Sequence, residues 1–214
     1  SWSKLIRVLT HEIMNTVTPI ASLSETLSSY MVDKDADSDV LAGLETISQS
    51  SRGLIKFVES YRNLTRVAAP VKKAFYVREM IDRVIQLTAQ QTSEAGAVCT
   101  YMEKSDDILL YADESQISQI LINLIRNACQ AGANKVEITA ELDRSDSVFI
   151  HVTNNGRPIS KESREEIFVP FYTTKQEGTG IGLSLSRQIM RLHNGTLTLT
   201  RSDESGTVFT LYFK

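Results

Sequence analysis

Near the start of the chain, apolar residues recur at Leu5, Leu9, Ile13, Val17, Ile20, Leu23 and Leu27, the spacing of a helix with one buried stripe. The pattern predicts a helix from near Ser3 to about Met31. The charged turn that follows, from Asp33 to Asp39, offers Asp37, Ser38 or Asp39 as the cap of a second helix. In that helix Leu44, Ile47, Ser51, Leu54, Val58, Tyr61, Thr65 and Ala68 alternate steps of three and four, a heptad seam diluted by small and polar side chains. Two antiparallel helices cannot enclose a core alone, because each presents a stripe that the other only half covers. A homodimer closing a four-helix bundle is the economical solution; packing of the hairpin onto the rest of the chain is the alternative.

Ala68-Ala69-Pro70 ends the hairpin, since proline cannot continue a helix and disfavours it one residue earlier. The expected division is therefore residues 1–69 and 70–214. The second part mixes periods. A short extended run covers 74–77, a helix 78–93, a strand 97–102 and a further short run 108–112. A strong helix over 114–131 leads to strands at 135–142 and 147–153. After a long loop, a helix over 180–193 precedes a closing hairpin, 196–201 and 207–213. The strands come mostly in pairs, so the fold class is α+β, a helical hairpin followed by a two-layer α/β sandwich.

Within the first helix, Thr10-His11-Glu12-Ile13-Met14-Asn15 places a histidine, a carboxylate and an amide in about one turn. At about 100° per residue His11 lies roughly 200° from both Leu9 and Ile13, so it faces water and shares its face with Asn15. A histidine with ordinary pKa near ~6.5 is mostly neutral at pH 7 and has a lone pair able to attack an electrophile. Glu12 could hold the other ring nitrogen protonated and take up the positive charge that develops. An ordinary surface histidine is the plainer reading of this stretch taken alone.

Composition narrows the classes. With 214 residues, 42% apolar and 23% charged, the chain is an ordinary globular sequence. Its net charge of -3 and pI near 5.7, with no basic run, argue against a nucleic-acid partner. No apolar stretch is long enough for a membrane span, and the two cysteines, Cys99 and Cys129, lack metal-ligand spacing. Reduced thiols in a cytoplasmic setting are the expectation. The chain opens inside a helical pattern, so it reads as a fragment whose parent would meet a membrane only through upstream segments.

On the helix over 114–131, Ile117, Ile120, Leu121, Leu124, Ile125 and Ala128 form the core stripe, while Gln116, Gln119, Asn123, Asn127 and Gln130 file along its flank. Amide oxygens are neutral, hard ligands that suit a magnesium ion keeping waters and sharing phosphate oxygens. Asn154-Asn155-Gly156-Arg157-Pro158 follows a strand and reads first as a turn. Gly178-Thr179-Gly180-Ile181-Gly182-Leu183 stands immediately before a helix, where glycines allow close approach of a phosphate and free N–H groups favour anionic oxygens. Neither a Walker A loop nor a Rossmann unit fits this run.

Taken together, His11-Glu12-Ile13-Met14-Asn15, the run from Asn123 to Ala128, Asn154-Asn155-Gly156, the run from Ile167 to Lys175, and Gly178 to Leu183 resemble the transmitter core of bacterial sensor histidine kinases, in the nitrogen-regulation-like branch. The order and spacing match that family's H, N, G1, F and G2 boxes over essentially the whole chain. The resemblance implies a dimeric helical domain carrying the phosphoacceptor, and a catalytic domain of the histidine kinase/chaperone ATPase type that binds ATP and Mg2+ under a lid. It implies autophosphorylation on His11 and transfer to an aspartate of a response regulator receiver domain, with phosphatase activity as a second function. Glu12 would be the acid/base partner of His11, and Asn15 would position water for dephosphorylation. Asn127 would ligate magnesium, with Asn123 and Gln130 on the same wall and Asn154 and Gly156 at the adenine. Thr174, Lys175, Gly178, Thr179, Gly180, Ile181, Gly182 and Leu183 would enclose the phosphates, and Phe168 and Phe171 would anchor the lid between Arg157 and Thr179.

Three positions depart from the family pattern. The first-box aspartate is Asn154, the box's second glycine is Pro158, and the proline usual five residues after the histidine is Thr16, with Pro19 later. The first two predict weaker ATP binding and favour the alternative function, a phosphatase-dominant or non-catalytic dimeric scaffold. His151, on a strand, and His193, at a helix end, read as structural.

Overall fold

The periodicities resolve into two units. The computed structural model describes residues 2–32, 38–64, 67–170 and 180–214, and its contacts divide the chain into Ser1–Arg66 and Val67–Lys214. Among the described residues, no helix is long and apolar enough to cross a membrane.

The first unit is a hairpin of α1 (Trp2–Val32) and α2 (Ser38–Leu64). Ser38 opens α2 with Asp39 in its first turn; the rest of the expected turn, with Asp37, lies outside the described residues. Helix α1 runs through Pro19. The two helices bury only part of the expected stripe against each other, Val17 on α1 and Ser51 and Val58 on α2. The seam is made of Thr10, Val17, Ala21 and Ser24 with Ser48, Ser51 and Val58, whereas Ile13, Ile20, Leu23 and Leu27 on α1 and Ile47, Leu54 and Phe57 on α2 stay exposed. Small side chains let the helix axes approach, and the larger ones are displaced to the flank. Glu25 accepts hydrogen bonds from Ser48 and Arg52 across the seam, and the Arg52 bond holds its carboxyl below the ordinary carboxylate pKa. The heptad seam also ends earlier than expected. Residues 67–70 are not helical, because Pro70 follows and the Ala68 carbonyl accepts a hydrogen bond from Gln116 Nε2 at 2.8 Å instead of continuing a helix.

The second unit has the elements β1 (Lys73–Tyr76), α3 (Val77–Glu94), β2 (Val98–Glu103), β3 (Leu109–Ala112), α4 (Glu114–Gln130), β4 (Lys135–Leu142), β5 (Val148–Asn154), a 3-10 turn (Glu166–Phe168), α5 (Gly182–Leu192), β6 (Thr196–Asp203) and β7 (Gly206–Phe213). The main sheet has the order β2-β4-β5-β7-β6, with β2 parallel to β4 and every other pair antiparallel. β1 and β3 form a separate antiparallel pair. The core lies between sheet and helices: Ile117, Ile120, Leu121, Leu124, Ile125 and Ala128 of α4 are buried as their spacing requires, against Met80, Ile81 and Val84 of α3 and Ile138, Ile150 and Leu211 of the sheet. This is the α+β sandwich expected.

His193 locks two helices together. Its Nδ1 donates to the Ile189 carbonyl at 2.8 Å, which leaves Nε2 to accept from the Asp113 N–H at 3.0 Å. Asp113 in turn caps α4 by accepting from Gln116 N, and accepts from Val71 N at 2.9 Å. Burial opposes ionisation of Asp113, but these N–H donors and His193 outweigh it and hold its pKa below the ordinary value. Replacing His193 by Leu leaves the Asp113 N–H without its acceptor, so the second unit should lose about 2 kcal/mol. Urea unfolding of the His193→Leu variant checks this, and an unchanged midpoint would refute the role.

Candidate functional site

The flank of α4 carries the amide file into a shaped site. Asn123 is 7% exposed; its Oδ1 accepts from Arg126 at 2.7 Å, and its Nδ2 is buried without a hydrogen-bond partner among the described residues. Facing it is Gly182, the first residue of α5, where a Cβ would stand 2.3 Å from Asn123 Oδ1. Only glycine fits this approach. Gly180, at φ +67, makes the left-handed turn into the helix, and Ile181 is its buried N-cap, with no side chain capping the first N–H groups. Leu183 packs against the core. Asn127 is half-buried one turn beyond Asn123, while Gln119 and Gln130 are exposed.

The Asn154 loop docks on the end of α4. Asn154 closes β5, paired with Val136 and Thr207, and its Oδ1 accepts from Gly156 N at 2.9 Å. Gly156 lies so close to the helix that a Cβ would meet Ala131 Cβ at 2.9 Å, and Arg157 N donates to the Ala131 carbonyl at 2.9 Å. Asn155 is a staple: its Oδ1 accepts from Asn134 N and Lys135 N, both at 3.0 Å. A cavity of 580 Å³ opens beside this loop, lined by Gln130, Ala131, Gly156, Arg157 and Pro158 among others. Thr174, Lys175, Gly178 and Thr179, with Phe171, lie outside the described residues.

On the hairpin, His11 is exposed as its angular position requires, and Asn15 lies 3.1 Å away, Nδ2 to His11 Nδ1. An amide presents either oxygen or nitrogen after a half-turn of its end group. With the nitrogen donating, Nδ1 is occupied and Nε2 carries the ring proton. With the oxygen turned in, Nδ1–H donates and Nε2 keeps a lone pair. Asn15 thus stands where it selects the tautomer. Nothing is described of the Glu12 side chain.

Other titratable groups have structural surroundings. His151, on the outer face of the sheet, bonds Thr210 Oγ1 at 2.9 Å and Glu141 at 3.2 Å. Burial, with Cys129 nearby, pushes the Cys99 thiol up to about 11, so it is protonated at neutral pH. Among the described residues no cluster of histidine, cysteine and carboxylate groups forms a metal cage. One contact gave no sequence signal: the Arg187 guanidinium stacks 3.6 Å from the ring centre of Phe168, which meets Phe209 edge-on. Nothing in local spacing joins a helical arginine to a loop aromatic.

These features accord with the chain's likenesses. The family described as histidine kinase-, DNA gyrase B-, and HSP90-like ATPases matches residues 112–214. The sensor histidine kinase ZraS of Salmonella typhi is 28% identical over 207 residues, covering 94% of this chain and 43% of that protein. The solved catalytic domain of the histidine kinase ThkA is 34% identical, with TM-score 0.60, over 66% of this chain and 94% of the domain. ThkA solved in complex with the response regulator protein TrrA is 28% identical, with TM-score 0.64, over 98% of this chain and 60% of ThkA. The chain spans less than half the length of the curated relatives it matches. With 34% identity over 66% of its length and 94% of a histidine kinase catalytic domain, and the same fold, this chain belongs to the sensor histidine kinase family.

Proposed function

We propose that the chain is the core of an ATP-dependent protein-histidine kinase, divided near residue 69 into a dimerising phosphoacceptor hairpin and a catalytic ATP-binding domain. One observation carries this reading: an exposed histidine with its ring nitrogen held by Asn15 shares a chain with an ATPase-family unit whose buried amide faces a bare helix start. The ATP site fits the residues present. The unpartnered Asn123 Nδ2 is a donor awaiting an acceptor, and Gly182 leaves room where any side chain would collide. Magnesium also fits, held by the Asn127 amide and by phosphate oxygens in the absence of a carboxylate cage. The bound ion would supply charge neutralisation on the phosphates.

In this reading Nε2 of His11 attacks the γ-phosphorus, the bond to the bridging oxygen breaks, and ADP leaves. Asn15 and Glu12 stabilise the Nδ1–H and the positive ring, and Asn15 positions water in the reverse, dephosphorylating mode. Positioning and charge stabilisation supply most of the rate in such transfers. The residues exposed on the flank of the hairpin, Ile13, Ile20, Leu23, Ile47, Leu54 and Phe57, would be covered by a second copy, making the four-helix bundle. The acceptor downstream is an aspartate of a response regulator receiver domain; the ThkA complex with TrrA supports that class of partner. Labelling with γ-labelled ATP followed by addition of a receiver domain tests the route. Label that leaves this chain for the receiver's aspartate supports it, and label in neither protein refutes it.

Asn154 and Pro158 favour the second reading, a phosphatase-dominant or non-catalytic dimeric scaffold. The Asn154 amide oxygen is already engaged by Gly156 N–H, and it lacks the charge that strengthens an acceptor. Asn154→Asp should tighten ATP binding about fivefold, as one charge-assisted hydrogen bond is worth ~1 kcal/mol more than a neutral one. Calorimetric titration measures it; unchanged or weaker binding would show that position 154 does not limit affinity.

A further inference from the structure

A second concavity, sharing no residue with the amide wall, opens between the 3-10 turn, α5 and the edge strand β6, with a volume of 400 Å³. Arg164, Arg187 and Arg201 line it, with Glu165 the one carboxylate among the described lining residues. In a chain of net charge -3 this is a local excess of positive charge. Arg164 donates to the Ser202 carbonyl through its terminal nitrogen, while its Nε is buried without a hydrogen-bond partner among the described residues. Arg187 lies flat on Phe168 and turns Nε to the Leu197 carbonyl at 3.4 Å. Neither arginine has a carboxylate partner among the described residues. Burial, and Arg191 beside it, hold the Arg187 pKa below the ordinary value, so the charge sits there uncompensated. Arg201 lies near Asp203, whose carboxyl is held down first by Ser205 and then, more weakly, by Arg201.

The groove does not suit an added β-strand. The two arginines cap the Leu197 and Ser202 carbonyls along the edge, and β6 is irregular between Leu199 and Arg201. Arg201 pairs with Val208 and carries its Nη2 over Gly206 and Thr153 rather than into the groove. What remains is two guanidinium groups, those of Arg164 and Arg187, without carboxylate partners among the described residues and beside an aromatic ring. Planar forks of this kind match the geometry of carboxylate and phosphate groups.

We propose that the groove between Phe168, α5 and β6 is a binding site for a small oxyanion, a phosphate or carboxylate group held by Arg164 and Arg187. It does not rest on the kinase reading, and it shares no residue with the wall formed by Asn123 and Gly182. The groove itself provides the readout. The backbone amides of residues 198–202 and the Nε–H signals of Arg164 and Arg187 are followed by NMR in the 214-residue chain, titrated with inorganic phosphate and separately with citrate. Saturable shifts confined to these signals are expected, and the affinity should fall about tenfold or more in Arg164→Gln. Saturation by phosphate alone identifies a phosphate ligand, by citrate alone a carboxylate ligand, and by both a general oxyanion site. Arg187→Gln repeats the comparison should Arg164→Gln fail to fold. Shifts reproduced by sodium chloride at equal ionic strength, or unchanged in the variants, would overturn the proposal, as would no saturable shift with either anion.

Discussion

Asn127→Ala should lower autophosphorylation by roughly a thousandfold, the scale on which a single preorganised electrostatic group acts in a transferring site. The residue stands half-buried on α4 one turn from Asn123, and among the described residues no carboxylate cage is available to take over a cation. Removing the one amide oxygen assigned to the metal leaves the ion to waters and phosphate oxygens, and the γ-phosphoryl group loses its fixed position. The expected signature is specific. Affinity for ADP in the presence of a chelator should stay within a few-fold of the parent, while the gain on adding magnesium should disappear. A variant that retains the full magnesium-dependent gain would show that Asn127 does not ligate the ion, whatever its rate.

Gly182→Ala should damage stability and nucleotide affinity together. The added methyl would lie 2.3 Å from Asn123 Oδ1 and 2.8 Å from both Cγ and Nδ2, all far inside ordinary contact. Asn123 cannot swing away cheaply, because it is buried and its oxygen is held by Arg126. The start of α5 must therefore move off α4, at a cost of about 1 to 3 kcal/mol typical of overpacking. The same shift displaces the helix start assigned to the phosphates, and misplacement by about an ångström is worth roughly a hundredfold. Gly43→Ala is the matched control. A Cβ there meets nothing within 4 Å, so within α2 it should stabilise the hairpin by up to ~1 kcal/mol and leave nucleotide binding unchanged. Parent-like affinity in a folded Gly182→Ala variant would remove α5 from the site.

Much of the second unit is legible in the sequence because its signals are local. The α4 core residues recur at helical spacing and are all buried, and the glycines before α5 mark its start within a residue or two. Neighbour relations are a different matter. Alternation announces that Val98–Glu103 is a strand, but not that it pairs in parallel with Lys135–Leu142, nor that Lys73–Tyr76 leaves the main sheet to pair with Leu109–Ala112. Those choices are made by packing between distant segments. The hairpin is legible only in part. The periodicity includes Val17, Ser51 and Val58, which the two helices bury, but not Thr10, Ala21, Ser24 and Ser48, which complete the buried face and are too small or polar to register in a hydrophobic pattern.

The site divides along the same line. His11 and Asn15 share a helical face by spacing alone, and the structure brings them within 3.1 Å. The approach of Asn123 to Gly182, and of Gly156 to Ala131, joins stretches that are far apart in sequence, and only the family resemblance drew them into one site. Arg187 on Phe168 lay beyond either kind of reading, since neither residue belongs to a local pattern that calls for the other.

The most direct measurement is incubation of the chain with γ-labelled ATP and magnesium, beside His11→Gln, followed by acid and base treatment of the product. Label on the parent that is lost in acid, survives base and is absent from His11→Gln would establish a phosphorylated histidine at that position. A folded parent that takes up no label, or label that persists in His11→Gln, would contradict the assignment of His11 as the acceptor.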